Sequence, residues 1–167
     1  MSGLRSLFDR FDAWLTSSMA SYGLTLLRLS VGVVFVWFGV LKFFPGLSPA
    51  EGLAAKTIAV LTAGRLSPEL SLFLLAIWET FIGLGLIFGV GMRAILFLLW
   101  AQMAGTMAPL FLFPSEAFTR VPYAPSLEGQ YIIKNIVLIS AGIVLGATVR
   151  GGKLVAEPSE AEAESGS

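Results

Sequence analysis

The residues that could do chemistry are scattered through otherwise apolar stretches: Arg28, Lys42, Glu79, Gln102, Lys134 and Asn135, with Trp78 beside the carboxylate. A charge near the centre of a membrane helix costs roughly 2.5 kcal/mol or more, so such residues either do a job or brace one another. A carboxylate among ammonium groups can exchange protons and can receive an anionic or carbonyl-bearing ligand. The chain has 0 His and 0 Cys, which removes imidazole general-base catalysis, thiol chemistry, and Cys or His ligation of zinc, Fe–S clusters and haem. No catalytic centre of its own, no metal site and no intrinsic cofactor are expected. Eleven basic residues balance eleven acidic ones, so no general attraction to nucleic acid is expected either.

These side chains need a scaffold, and composition dictates its solvent. With 56% hydrophobic and only 13% charged residues, the 167-residue chain is too apolar for a water-soluble domain, so its partner is the lipid bilayer. Four runs, 24–44, 68–89, 93–113 and 127–149, are each near the roughly 20 residues that a bilayer core requires of a helix. They are continuously apolar, without the alternation of a membrane β-barrel. The fold expected is all-α: a polytopic four-helix bundle over 23–150, preceded by an interfacial amphipathic helix over 1–22 and followed by a disordered acidic tail over 151–167.

The amphipathic helix is read from Leu4, Leu7, Phe8, Phe11, Trp14 and Leu15 at helical spacing, with Arg5, Asp9, Arg10 and Asp12 between them. A cleaved signal peptide is the competing reading, but the first apolar run is too long for one and no small-residue cleavage site follows. Pro45–Gly46 should stop the first span at Phe44. Ser48–Pro49 with Glu51 should open a short surface helix, with Leu53, Ala54, Thr57, Ile58 and Leu61 on one face, that Gly64 ends. Ser67 and Ser126 are the expected N-caps of the second and fourth spans. Pro109 should kink the third span and free the carbonyl of Gly105, and a polar loop should run from Ser115 to Pro125. Gly32, Gly39, Gly83, Gly85 and the Gly142-x-x-x-Gly146 pair suit close helix packing, with a homodimer as the other reading.

Cation counts give the orientation. Arg5, Arg10, Arg93, Arg150 and Lys153 fall on one side, against Lys56, Arg65 and Arg120 on the other, which puts both termini in the cytoplasm. At about 1.5 Å per residue, Lys42 then lies at the outer end of its helix, Glu79 roughly 15 Å in, and Lys134 about 10 Å in. A Lys42–Glu79–Lys134 cluster with Asn135 and Gln102 nearby is therefore expected in the outer half, with Trp78 as a ligand wall. Two readings of it stand together: a structural brace of three helices, or a polar pocket for a group such as a quinone head, with Glu79 relaying protons. Arg28, four residues from the cytoplasmic end, is expected to snorkel to the headgroups.

The segments Arg28-Leu29-Ser30, Trp37-Phe38-Gly39-Val40-Leu41-Lys42-Phe43, Glu79 with Gly83, and Lys134-Asn135 resemble the DoxX-like family of small four-helix bacterial membrane proteins. The resemblance covers about residues 24–149, and the Gly-x-x-Lys ending of the first helix is its most specific element. It implies a multi-pass protein of the bacterial plasma (inner) membrane, related to membrane subunits of quinone-linked oxidoreductases and to scaffolds that hold redox partners. Lys42, Glu79, Lys134 and Asn135 match its pattern. Many relatives carry His where this chain has Phe38, so no His-dependent role carries over. The first expectation is thus a subunit that binds a quinone or similar lipophilic ligand and depends on a redox partner protein. A small-solute or lipid carrier and a membrane scaffold are the alternatives.

Overall fold

A computed structural model describes residues 2–48 and 51–156, with side chains from Leu7 onward. Four helical stretches, Leu7–Leu41, Pro68–Phe88, Met92–Leu112 and Leu127–Thr148, are long and apolar enough to cross a membrane, and the protein is an all-α bundle of membrane type.

The first of these belongs to α1, one unbroken helix of 40 residues from Ser2 to Leu41. Its length, ~60 Å at about 1.5 Å per residue, is twice a hydrocarbon core of roughly 30 Å. The interfacial helix expected over 1–22 is therefore not a separate element but the first half of a continuous rod. Between Leu4 and Tyr22 there is neither Gly nor Pro to interrupt it, and Leu7, Phe8, Phe11 and Trp14 stand exposed along it. At its other end the helix closes at Leu41, three residues before the expected stop. The chain tightens there into successive i→i−3 bonds, Lys42 N–H to Gly39 O, Phe43 N–H to Val40 O and Phe44 N–H to Leu41 O.

The short α2, Glu51–Leu61, buries Leu53 and Thr57 but leaves Leu61 exposed, so its contact face is narrower than expected and ends one turn early. The Glu51 carboxylate accepts from the Gly46 N–H at 2.8 Å, and Pro49 of the expected cap lies outside the described residues. Ser67 caps α3, Pro68–Phe88, by accepting from the Leu70 N–H, and Gly89 ends it at φ 68°. Next come α4, Met92–Met107, and, past the Pro109 break, α5, Pro109–Leu112. The Gly105 carbonyl is not left free at this break, because the Ala108 N–H donates to it at 3.2 Å. What was expected as a polar loop is ordered: α6, Pro114–Ala117, leads into a two-stranded antiparallel hairpin of β1, Phe118–Arg120, and β2, Ala124–Pro125. Ser126 joins this cap to α7, Leu127–Thr148, accepting from the Gly129 N–H and donating to the Glu116 carbonyl. Residues 151–156 are without regular structure, and the rest of the expected tail lies outside the described residues.

Glycines fix the helix spacing. A Cβ on Gly83 would lie 2.6 Å from the Val36 nitrogen, and one on Gly39 would lie 2.7 Å from Thr80 Oγ1, so α1 and α3 meet nearly backbone to backbone. On α7, Gly142 and Gly146 receive the indole of Trp100, so this pair serves packing within the chain. The core combines Val31 and Phe35 of α1, Ile82 and Leu86 of α3, Ile95, Leu96, Leu99 and Met103 of α4, and Ala141 and Leu145 of α7. Most of it lies on the side of Glu79 nearer the chain termini, with Met103 next to Gln102.

Candidate functional site

Beside this core, three segments of the chain contribute one polar side chain each. Lys42 sits one residue past the end of α1 and three past Gly39, where the absent side chain lets α3 come close enough for the pair to form. Its Nζ donates to Glu79 Oε2 at 2.6 Å and to the Phe38 carbonyl at 3.3 Å, using two of its three N–H bonds. The other carboxylate oxygen, Glu79 Oε1, accepts from Gln102 Nε2 of α4 at 2.6 Å. Glu79 is 9% exposed and Gln102 8%, so both stand in a low-dielectric setting where such bonds are strong and unpaired groups costly. The Gln102 backbone carbonyl accepts from Thr106 Oγ1, but its side-chain Oε1 is buried without a partner. Ser71 Oγ and Thr80 Oγ1 of α3 share that condition.

The expected fourth and fifth members are elsewhere. Lys134 is exposed, with its ammonium 5.5 Å from the Tyr131 ring centroid, a cation–π contact. It lies on the same stripe of α7 as Ala141 and Leu145, seven and eleven residues on. That stripe is buried at Ala141 and Leu145, where α7 packs on α4 through Gly142 and Gly146, and open at Lys134. Asn135 is half-buried, and its side chain makes no hydrogen bond among the described residues. Trp78 is 42% exposed, its Nε1 donating to the Leu98 carbonyl at 3.2 Å. It clasps α4 rather than walling the carboxylate.

Arg28 corrects another expectation. Instead of reaching outward to headgroups, its Nη1 donates to the carbonyls of Leu86 and Ile87 at 2.6 and 3.1 Å, capping the C-terminus of α3 where the helix dipole favours a cation. The sequence held a signal for this: Gly89-Val90-Gly91 leaves carbonyls open at the same membrane end as Arg28. Two surface grooves lie away from the ion pair. One of about 360 Å³ runs between α4 and α7 and is lined by Trp100, Met103, Ala104, Met107, Ile139 and Ile143. The other, about 400 Å³, is lined by Gly52, Leu53, Lys56, Glu116 and Glu128. Across it Lys56 pairs with Glu116 in the open, an exposed bridge of little energetic weight.

Four membrane-length helices, three of them tied by a buried charge pair and its amide, define a polytopic helical membrane protein with one internal polar centre. The DoxX family model matches residues 23–114, more than half of the chain, and the protein belongs to the DoxX family. The matched segment contains Lys42, Glu79 and Gln102 and ends before α7, which carries Lys134 and Asn135. No curated protein and no solved structure matches the chain.

Proposed function

We propose that this DoxX-family protein is a partner-dependent membrane subunit that binds the head group of a quinone, or of a similar lipophilic carrier, at Lys42, Glu79 and Gln102. The observation that carries the reading is the buried, unpartnered Gln102 Oε1 beside a charge pair that already satisfies its own members. A brace would need the ion pair; it would not need an amide oxygen left unsatisfied, which natural interiors rarely keep. Together, the spare Lys42 N–H and Gln102 Oε1 offer one donor and one acceptor next to a carboxylate able to hold or release a proton. Bound there, a quinone supplies the two-electron chemistry. The chain supplies position, the Lys42 donor and the Glu79 proton site. With no His and no Cys, electrons come from a partner protein. Lys42 and Glu79 are largely enclosed, so entry of a head group displaces side chains around them, and Phe38 and Phe43, both exposed beside Lys42, are the ones positioned to move. The cation balance across the spans supports a site toward the external leaflet.

Mass spectrometry of protein extracted directly into native nanodiscs tests this. Stoichiometric quinone is expected with the wild type and its loss with the double variant Lys42→Met, Glu79→Gln, which leaves no uncompensated buried charge. Wild-type protein free of quinone would remove the reading.

A further inference from the structure

Of the three buried polar side-chain atoms without partners among the described residues, two are hydroxyl oxygens, Ser71 Oγ and Thr80 Oγ1, which can rotate and carry their own proton. The third, Gln102 Oε1, can do neither. Its orientation is fixed by chemistry: a carboxylate paired with an ammonium only accepts, so the amide must turn its NH₂ toward Glu79, as the 2.6 Å contact shows, and its oxygen away. Among the described residues nothing then donates to that oxygen. Lys42 lies on the opposite oxygen of the same carboxylate with one N–H unspent. The centre therefore offers a ligand one donor and one acceptor on either side of Glu79.

We infer that the site takes its ligand as a hydrogen-bond donor, and so favours the reduced hydroquinone head group over the oxidised quinone. One hydroxyl of a hydroquinone can donate to Gln102 Oε1 while its other oxygen accepts from Lys42. A quinone carbonyl can accept from Lys42 but would set oxygen against oxygen at Gln102. Sites built to bond a substrate hydroxyl reject the analogue that lacks it more sharply than apolar pockets reject a shape. This rests on the head-group reading above, and the test separates the two.

The probes are a short-chain benzoquinone, its hydroquinone and the dimethyl ether of that hydroquinone, which keeps the shape but donates nothing. Each is titrated anaerobically into the full-length protein in nanodiscs of defined lipid, with bound ligand measured by equilibrium dialysis. The hydroquinone is expected to bind about tenfold tighter than the quinone or the ether, the ratio that one hydrogen bond of ordinary net strength supplies. Gln102→Met, checked for retained helicity and melting temperature, should reduce that ratio to near one. Quinone or ether binding as tightly as hydroquinone would overturn the donor preference and leave the head-group reading standing. Binding of none of the three would overturn both. Because the comparison among ligands uses the wild-type protein, it decides the question even where the variant does not fold.

Discussion

Lys42 and Lys134 both stand in apolar sequence toward the α2 end of the bundle, yet one is locked into a charge pair and the other lies open over an aromatic ring. The difference comes from the spacing of the helices that carry them. Along the α1–α3 seam, Gly32, Gly39 and Gly83 bring two backbones together, so a lysine at the end of one helix reaches a carboxylate on the other and both leave water and lipid. On α7 the contacts with α4 are at Gly142 and Gly146, toward the termini, and Gly129, at the other end, meets the Ala117 carbonyl rather than a charged group, so Lys134 stays exposed. In this bundle, then, a close helix–helix approach facing a countercharge, and not depth alone, lets a charge join an internal centre.

The largest effect should come from breaking the tight side of this contrast. Lys42→Met leaves the Glu79 carboxylate buried with only an amide, and removing one member of a buried pair costs about 3–5 kcal/mol. Unfolding in detergent or nanodiscs should show a loss of that size. The double variant Lys42→Met with Glu79→Gln should recover most of it, since no uncompensated charge remains. Equal melting of wild type and Lys42→Met would mean that the pair does not brace the seam.

Next in size is the spacing itself. Gly83→Ala forces a methyl against the α1 backbone at Val36, an overpacking expected to cost about 1–3 kcal/mol. Gly105→Ala is its control: nothing lies within 4 Å of a Cβ there, so replacing a mid-helix glycine should be neutral or stabilise by up to about 1 kcal/mol. The two unfolding curves should move apart. If Gly83→Ala melts with the wild type, the helices are not as close as described.

The contrast also shows what could be read from the residues alone. Span count, the Ser67 and Ser126 caps, the break at Pro109 and the approach of Lys42 to Glu79 all follow from hydropathy, capping chemistry and helical rise. These are properties local to one helix, or countable along it. The placement of Lys134 was not legible, because depth is a count along a helix whereas pairing depends on how two helices lean. Arg28 was misread for the same reason: its distance from the membrane edge suits snorkelling, but its partners are carbonyls 58 and 59 residues away. The rod-like α1 was missed because amphipathic spacing over 1–22 says which face is apolar and nothing about whether the axis bends at residue 23.

Arg28→Met ranks third. It removes the cation from the α3 C-terminus and both of its hydrogen bonds to Leu86 and Ile87, for which up to about 2 kcal/mol is expected from partly buried examples of such caps. Arg28→Lys should retain part of this, since an ammonium keeps the charge but lacks the planar fork. Thermal unfolding of the three proteins, in the order wild type, Lys, Met, checks it. A snorkelling arginine would give the lysine variant no deficit.

The smallest effect should fall on the open side. Lys134→Met removes an exposed ammonium whose contact is the Tyr131 ring, and a substitution of that kind moves stability by no more than about 0.5 kcal/mol. The size matters less than its independence from Lys42. In a double-mutant cycle the two lysines should add, because separate environments do not couple. If Lys134 instead closed onto Glu79, Lys42→Met would be rescued by its ammonium, and Lys134→Met would become costly only in that background. Additive losses keep Lys134 outside the centre. A coupling of about 1 kcal/mol or more would put it back beside the carboxylate and erase the distinction between the two flanks.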